Sequence, residues 1–186
     1  GAEHIGPQAT RNLNVCAVIM DNGVYGLTKG QSSPTTKEGT VTSSTPFGKM
    51  EIETDPLELY LTMGVSFIAS GFSGNPRQLA QLINQGMNHK GFSMVHVQSP
   101  CVTYNDTFQL LKGNAKEGIE PLIWDIPEEH DSSDKAAAHT LIQKRGLPVG
   151  VIYQDESRLS LDDRVQQVWN KDRQHTVEEL IDAYAI

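Results

Sequence analysis

Cysteine is scarce in this 186-residue chain, and its scarcity excludes two architectures. Cys16 and Cys101 are the only two cysteines, too few for a disulfide framework or a four-thiolate metal site. No run of eighteen apolar residues is present, so no membrane span is predicted, and the first residues lack the basic and apolar regions of a signal peptide. Basic residues are also outnumbered: the net charge is −8 and the pI about 5.2, which disfavours nucleic acid as a partner. We expect a cytoplasmic protein with neither nucleic acid nor membrane as a partner.

Alternating strand and helix patterns predict an α/β fold with a mostly parallel sheet. The unbroken apolar run at residues 15–20 is typical of a strand that is buried on both faces. Further strands are predicted at 65–69, 94–97 and 148–153, and helices at 4–12, 55–63, 75–89, 135–145 and 160–170. Residues 26–53 and 113–134 show no such periodicity and are predicted to be loops. Thr176 and Glu179 have capping-box spacing, which predicts a terminal helix.

The polar residues after the first strand could bind a cation and a diphosphate. The side-chain amide of Asn22 and the backbone carbonyl of Val24 offer two hard oxygen ligands for Mg²⁺. Gly26 and Gly30 would let backbone amides approach a diphosphate closely. The local alternative is an ordinary Asp-Asn-Gly turn after a strand. Local chemistry leaves both interpretations open.

Three segments resemble one family in the family's own order. Residues 21–36, DNGVYGLTKGQSSPTT, are similar to a motif of the thiamine-diphosphate-binding β subunit of 2-oxoacid:ferredoxin oxidoreductases. SPCVTYN at 99–105 and LPVGVIY at 147–153 resemble two later segments of the same subunit. The resemblance covers nearly the whole chain. It implies the α/β, mostly parallel sheet of the thiamine-diphosphate-binding fold, in partial form, with a C-terminal helical arm.

The resemblance also implies roles for individual residues. Asn22 matches the position whose side chain binds Mg²⁺, and Val24 the position whose carbonyl does so. Gly26 and Leu27 match positions that contact the diphosphate and the reactive end of the cofactor. Lys29 lies where the family's loop faces substrate or coenzyme A. No general base is assigned to this chain.

The cysteines and two histidines receive different interpretations. Cys101 matches a cysteine that ligates a 4Fe-4S cluster, and its alternative is a buried, inert thiol. Cys16, in the middle of an apolar strand, is interpreted as core. His96 is interpreted as packed or hydrogen-bonded structure. His130 stands among acidic residues that are more typical of a solvated loop than of a metal site.

Two features of the family are missing from this sequence. There is no Gly-Asp-Gly, which supplies a further Mg²⁺ ligand in the family, and no Cys-x-x-Cys pair. We therefore expect the C-terminal part of a β subunit, inactive alone. Residues 1–112 would belong to the thiamine-diphosphate-binding domain and residues 113–186 to the arm.

The implied activity is oxidative decarboxylation of a 2-oxoacid to an acyl-CoA and CO₂, with electrons passing through a 4Fe-4S cluster to ferredoxin. The implied partners are an α subunit, ferredoxin, coenzyme A and the 2-oxoacid. The YGLTKGQ form at 25–31 favours 2-oxoglutarate over pyruvate or a branched-chain acid. The main alternative is a noncatalytic fragment that acts as a subunit-interaction module. A decarboxylase or synthase of the wider thiamine-diphosphate superfamily is disfavoured, because such enzymes need no cluster cysteine at residue 101.

Overall fold

The structure, a computed structural model, describes residues 2–172 and 175–184. The helices are α1 (Ala2–Arg11), α2 (Pro56–Met63), α3 (Pro76–Asn88), α4 (Phe108–Lys112), α5 (Lys135–Ile142), α6 (Leu161–Asp172) and α7 (Val177–Asp182). The strands are β1 (Val15–Asp21), β2 (Val24–Tyr25), β3 (Gln31–Ser32), β4 (Phe67–Phe72), β5 (Phe92–Gln98), β6 (Ile123–Asp125) and β7 (Leu147–Gln154).

Five strands form one sheet in the order β1-β5-β4-β7-β6. The pairs β1–β5, β4–β5 and β6–β7 are parallel, and β4–β7 is antiparallel. The prediction of a mostly parallel α/β sheet is confirmed. Because β1 and β5 run in the same direction and in register to their last residues, the loops that follow them begin side by side.

Helices cover both faces of this sheet. One face packs against α2 and α5, and the other against α3. The α3 side contains the buried side chains Phe67, Ala69, Leu82, Val95 and Val97. Burial on both faces explains why β4 and β5 are apolar along almost their whole length.

The prediction that residues 15–20 are buried on both faces is wrong. β1 lies at the edge of the sheet, with β5 as its neighbour on one side. Its Val15 and Met20 side chains are 48% and 66% exposed. An apolar run favours burial of both faces of a strand. It does not show whether the residues that bury those faces are among the described ones.

Capping residues fix both ends of α2, a helix that the sequence predicts over residues 55–63. The Asp55 carboxylate accepts hydrogen bonds from the amides of Leu57 and Glu58, and Pro56 occupies the first turn. Gly64 ends the helix in the left-handed conformation, with φ of 78°. These caps set where α2 begins and ends against the sheet.

The C-terminal part adds strands as well as helices. The predicted loop at 113–134 contains the short strand β6, which sequence analysis missed. β7 lies beside β4, so this part of the chain completes the same sheet. The predicted capping box of Thr176 and Glu179 is confirmed at the start of α7. Across the described stretches, no helix has the length and apolar character to cross a bilayer.

Candidate functional site

Two loops that lie far apart in sequence meet at the carboxyl ends of β1 and β5. The amide of Ser99 donates to the carbonyl of Asp21 at 2.7 Å. The Asn105 Nδ2 donates to the carbonyl of Asn22 at 2.9 Å. The structure thus brings together the start of the motif at 21–36 and the motif at 99–105. In open α/β sheets this edge is where ligand sites lie.

The turn after β1 is held by its own side chains. The Gly23 amide donates to Asp21 Oδ1 at 2.8 Å, and the Val24 amide to Asn22 Oδ1 at 3.1 Å. Gly23 has a φ of 68°, and a Cβ on it would lie 2.8 Å from Asn105 Nδ2. The positive φ favours glycine here, and a larger residue would also have to displace the Asn105 amide.

Asp21 joins this turn to a further loop and to the sheet. Its Oδ1 accepts the Thr35 hydroxyl at 2.7 Å, and its Oδ2 lies 3.3 Å from His96 Nε2. Burial raises the pKa of Asp21, but the imidazole of His96 and the Gly23 amide outweigh it, so the pKa lies below the ordinary value of 3.8. The carboxylate is therefore the stable form of Asp21.

His96 is buried and contacts a second polar group. Its Nδ1 lies 3.2 Å from the hydroxyl of Tyr60, and both side chains are almost fully buried. Burial, together with the charge of Asp21, raises the pKa of Tyr60. The interpretation of His96 as hydrogen-bonded structure agrees with this geometry. Its contact with Asp21 was missed, because no local sequence signal pairs residues on two strands.

The segment between β2 and β3 carries four of the predicted site residues, which are Gly26, Leu27, Lys29 and Gly30. Leu27 is fully exposed, and Lys29 has a left-handed backbone with φ of 71°. The Lys29 amide donates to the carbonyl of Gly26 at 3.1 Å. A Cβ on Gly30 would lie 2.9 Å from the Tyr104 ring. Gly30 therefore permits a second close approach between the two motif loops.

Cys101 lies in this same group of loops. Its Sγ is 3.7 Å from the position that a Cβ on Gly26 would occupy. Backbone amides, those of Tyr104 and Thr103 foremost, hydrogen-bond to the sulfur and lower the pKa of Cys101 below 9.0. Such amides stabilise a thiolate, which is the form that ligates iron.

Cys16 lies elsewhere and has a different environment. It is near the start of β1 and packs against α3, with its Sγ 3.1 Å from the position of a Cβ on Gly86. Burial raises the pKa of Cys16. Cys16 is half-buried and packs against the buried cluster on the α3 side without being one of its buried members. It does not share the loops that hold Cys101.

The chain offers ligands of the types that Mg²⁺ and a 4Fe-4S cluster take, but fewer of them than either group needs. Asn22 and Val24 share one turn and offer oxygen donors of the kind that Mg²⁺ takes, with further ligands needed from phosphate or water. Within 2–172 and 175–184, no cluster of three or more His, Cys, Asp or Glu side chains could hold a metal ion. A 4Fe-4S cluster at Cys101 would therefore need cysteines from outside this set. His130 Nε2 instead lies 2.8 Å from the carbonyl of Ile152.

Two described protein families match this chain. The family described as "Thiamine pyrophosphate enzyme, C-terminal TPP binding domain" matches residues 2–97. A second family, the C-terminal part of the pyruvate ferredoxin oxidoreductase β chain, matches residues 101–170. Together these matches place the fold among the thiamine-diphosphate enzymes.

Individual proteins that are similar to this chain carry more specific names than these two families. A 2-oxoacid:ferredoxin oxidoreductase subunit beta from Sulfolobus sp is 34% identical over an alignment of 179 positions, which covers 89% of this chain and 57% of that protein. The 2-oxoglutarate synthase subunit KorB of Methanothermobacter thermautotrophicus is 38% identical over 104 residues, 56% of this chain and 36% of that protein. A solved structure is "2-oxoglutarate:ferredoxin oxidoreductase from Magnetococcus marinus with 2-oxoglutarate, coenzyme A and succinyl-CoA bound". It matches with a TM-score of 0.86 at 34% identity and covers 100% of this chain and 63% of that one.

The chain belongs to the thiamine pyrophosphate enzyme family, through the C-terminal TPP binding domain at residues 2–97. The proteins it is similar to include β subunits of 2-oxoacid:ferredoxin oxidoreductases. It spans about 57% of the length of the first curated relatives it matches.

Proposed function

We propose that the loops after β1 and β5 hold the magnesium diphosphate end of thiamine diphosphate. Asn22, through its side-chain oxygen, and Val24, through its carbonyl, would bind Mg²⁺, while Gly26 and Leu27 would contact the cofactor. The observation that carries this proposal is the 2.9 Å hydrogen bond from Asn105 to Asn22, which joins the two motif loops into one site. Thiamine diphosphate, when bound, supplies the electron sink for decarboxylation.

The reaction we propose is the oxidative decarboxylation of a 2-oxoacid to an acyl-CoA and CO₂. 2-Oxoglutarate is favoured over pyruvate and branched-chain acids, because relatives of this chain are named for 2-oxoglutarate. Lys29, in an exposed loop beside Leu27, is proposed to face substrate or coenzyme A. The chain's own residues bind and orient in this proposal, and none is assigned as a general base.

Electrons are proposed to leave through a 4Fe-4S cluster to which Cys101 contributes one thiolate, with ferredoxin as acceptor. An α subunit is proposed as the partner that completes the enzyme, in the cytoplasm. Exposed apolar side chains beside the site support a protein partner there, since large apolar groups in water mark contact surfaces. They include Tyr25, Leu27, Val102 and Tyr104.

Substitution of Asn22 by Ala tests the cofactor proposal. In the assembly with which this chain is purified, we expect N22A to raise the Kd of thiamine diphosphate at limiting Mg²⁺ by tenfold or more, since even residues that only support a metal ligand change affinity by roughly 10- to 100-fold. The matched control is Asn84→Ala, an exposed asparagine on α3, which should bind as wild type does. Equal Kd values for wild type and N22A would refute the proposal.

A second candidate, the interaction module without catalysis, is favoured by the exposed apolar edge of β1, where Met20 is 66% exposed. Saturable, Mg²⁺-dependent binding of thiamine diphosphate would eliminate it. Stable association with partner subunits and no cofactor binding would support it instead.

A further inference from the structure

A line of buried polar groups runs from α2 to the turn after β1. The Tyr60 hydroxyl lies 3.2 Å from His96 Nδ1, and His96 Nε2 lies 3.3 Å from Asp21 Oδ2. Tyr60 is 3% exposed, His96 2% and the Asp21 side chain 14%. We propose that Tyr60 and His96 are positioning residues that act through Asp21 to hold the cation-binding turn in shape. This inference rests on the proposed function.

The order of protons along this line follows from the carboxylate at its end. A carboxylate only accepts, so the tautomer of His96 that suits the 3.3 Å contact with Asp21 Oδ2 has its N–H on Nε2. Nδ1 is then left to accept the hydroxyl of Tyr60, which lies 3.2 Å away. The Tyr60 hydroxyl thus stabilises the tautomer that turns an N–H toward Asp21.

Asp21 transmits this placement to the turn. Its Oδ1 accepts the Gly23 amide at 2.8 Å and the Thr35 hydroxyl at 2.7 Å. The neighbouring Thr36 hydroxyl donates to the carbonyl of Gly23. The residue between Asp21 and Gly23 is Asn22, the proposed Mg²⁺ ligand, so its amide oxygen is placed by the groups on either side of it.

The space beside Asp21 would let its carboxylate adopt another rotamer if His96 did not restrain it. A cavity of about 340 Å³ adjoins the turn and is lined in part by Asp21, His96 and Asn105. Without an N–H facing Oδ2, the carboxylate has room to rotate into this cavity. That rotation would release the Gly23 amide and shift Asn22.

Tyr60→Phe tests the inference, because it removes one hydroxyl and keeps the ring that packs in the core. Its matched control is Ser93→Ala on β5, a fully buried serine whose hydroxyl has no hydrogen-bond partner among the described residues. His96→Gln is the second variant, in case Tyr60→Phe is rescued by a water. Each is measured in the purified assembly for the Kd of Mg²⁺ with thiamine diphosphate present, and for the ¹H shift of the Gly23 amide in ¹⁵N-glycine-labelled chain.

We expect Tyr60→Phe to raise the Mg²⁺ Kd about fivefold, the effect of one ordinary hydrogen bond. His96→Gln should raise it further, and both should move the Gly23 amide signal. Ser93→Ala should change neither. The amide signal of Gly23 in the folded protein reports the position of Asp21 directly. A general loss of stability would leave that signal unchanged.

Two outcomes separate the inference from the proposed function. The inference alone would be overturned if the wild type binds Mg²⁺ and the variants Tyr60→Phe and His96→Gln have the same Mg²⁺ Kd and the same Gly23 amide signal as the wild type. Absence of Mg²⁺ and thiamine diphosphate binding in the wild-type assembly would overturn the proposed function, and this inference with it. A Ser93→Ala variant that behaves like Tyr60→Phe would also overturn the inference, since any loss of a buried hydroxyl would then suffice.

Discussion

Asn12 joins three parts of the chain through one fully buried side chain. Its Oδ1 accepts hydrogen bonds from the Ser66 hydroxyl at 2.7 Å and from the Phe92 amide at 3.0 Å. Its Nδ2 donates to the carbonyls of Arg158 and Leu159, both at 3.2 Å. The beginnings of β4 and β5 are thereby tied to the segment before α6. Substitution of Asn12 by Ala should therefore loosen the whole fold rather than one loop.

The expected loss can be worked out from these partners. Asn12→Ala leaves one backbone N–H and two carbonyls without a protein partner, at about 1 kcal/mol each on average. The Ser66 hydroxyl retains the carbonyl of Phe92 at 3.2 Å as an acceptor. Asn12 also has a φ of 56°, a left-handed conformation that costs alanine roughly 1 kcal/mol. The sum is about 4 kcal/mol, a large part of the roughly 5–15 kcal/mol typical of a domain.

Urea denaturation of the wild type and the variant measures this difference. Asn84→Ala is again the control, because Asn84 is exposed on α3, and its effect should stay below about 0.5 kcal/mol. A loss of less than about 1.5 kcal/mol in Asn12→Ala would refute the reasoning, since water or local rearrangement would then satisfy the groups that Asn12 leaves.

Two further predictions concern ionisation. In iron-free chain near pH 8, iodoacetamide should alkylate Cys101 before Cys16, because backbone amides lower the pKa of Cys101 and burial raises that of Cys16. Peptide mass spectrometry measures both rates, and equal rates would contradict the described environments. Burial lowers the pKa of His89 below 6.5 in the folded chain, so below pH 6.5 the unfolded chain binds more protons at this residue and its contribution to stability falls as the pH drops. His89→Gln should make the free energy of unfolding fall less as the pH drops. If the free energy of unfolding depends on pH in the variant as it does in the wild type, His89 has no such role.

Local chemistry was sufficient to predict the elements whose ends carry their own signals. Asp55 and Pro56 begin α2, and each acts within a few residues of chain. The capping box before α7 is of the same kind. By contrast, β6 has three residues, too few to show a strand period. The edge position of β1 depends on which neighbours the sheet has, which its own sequence does not record.

The candidate site was predictable in part for a similar reason. The motif beginning at Asp21 and that containing Cys101 each follow a strand, and the parallel register of β1 and β5 brings them together. The contact of Asp21 with His96 could not be predicted, because it joins two strands across the sheet. Pairings of this type depend on register and order, which are set by the packing of the whole domain.

The central claim is that loops 21–30 and 99–105 form one site for magnesium and thiamine diphosphate. Hydrogen–deuterium exchange on the assembly containing this chain tests it most directly, with Mg²⁺ alone, thiamine diphosphate alone, and both together. Both loops should become protected when both ligands are present, while the acidic segment 128–131 exchanges as before. Unchanged exchange in both loops with both ligands, or protection confined to another part of the chain, would contradict the claim.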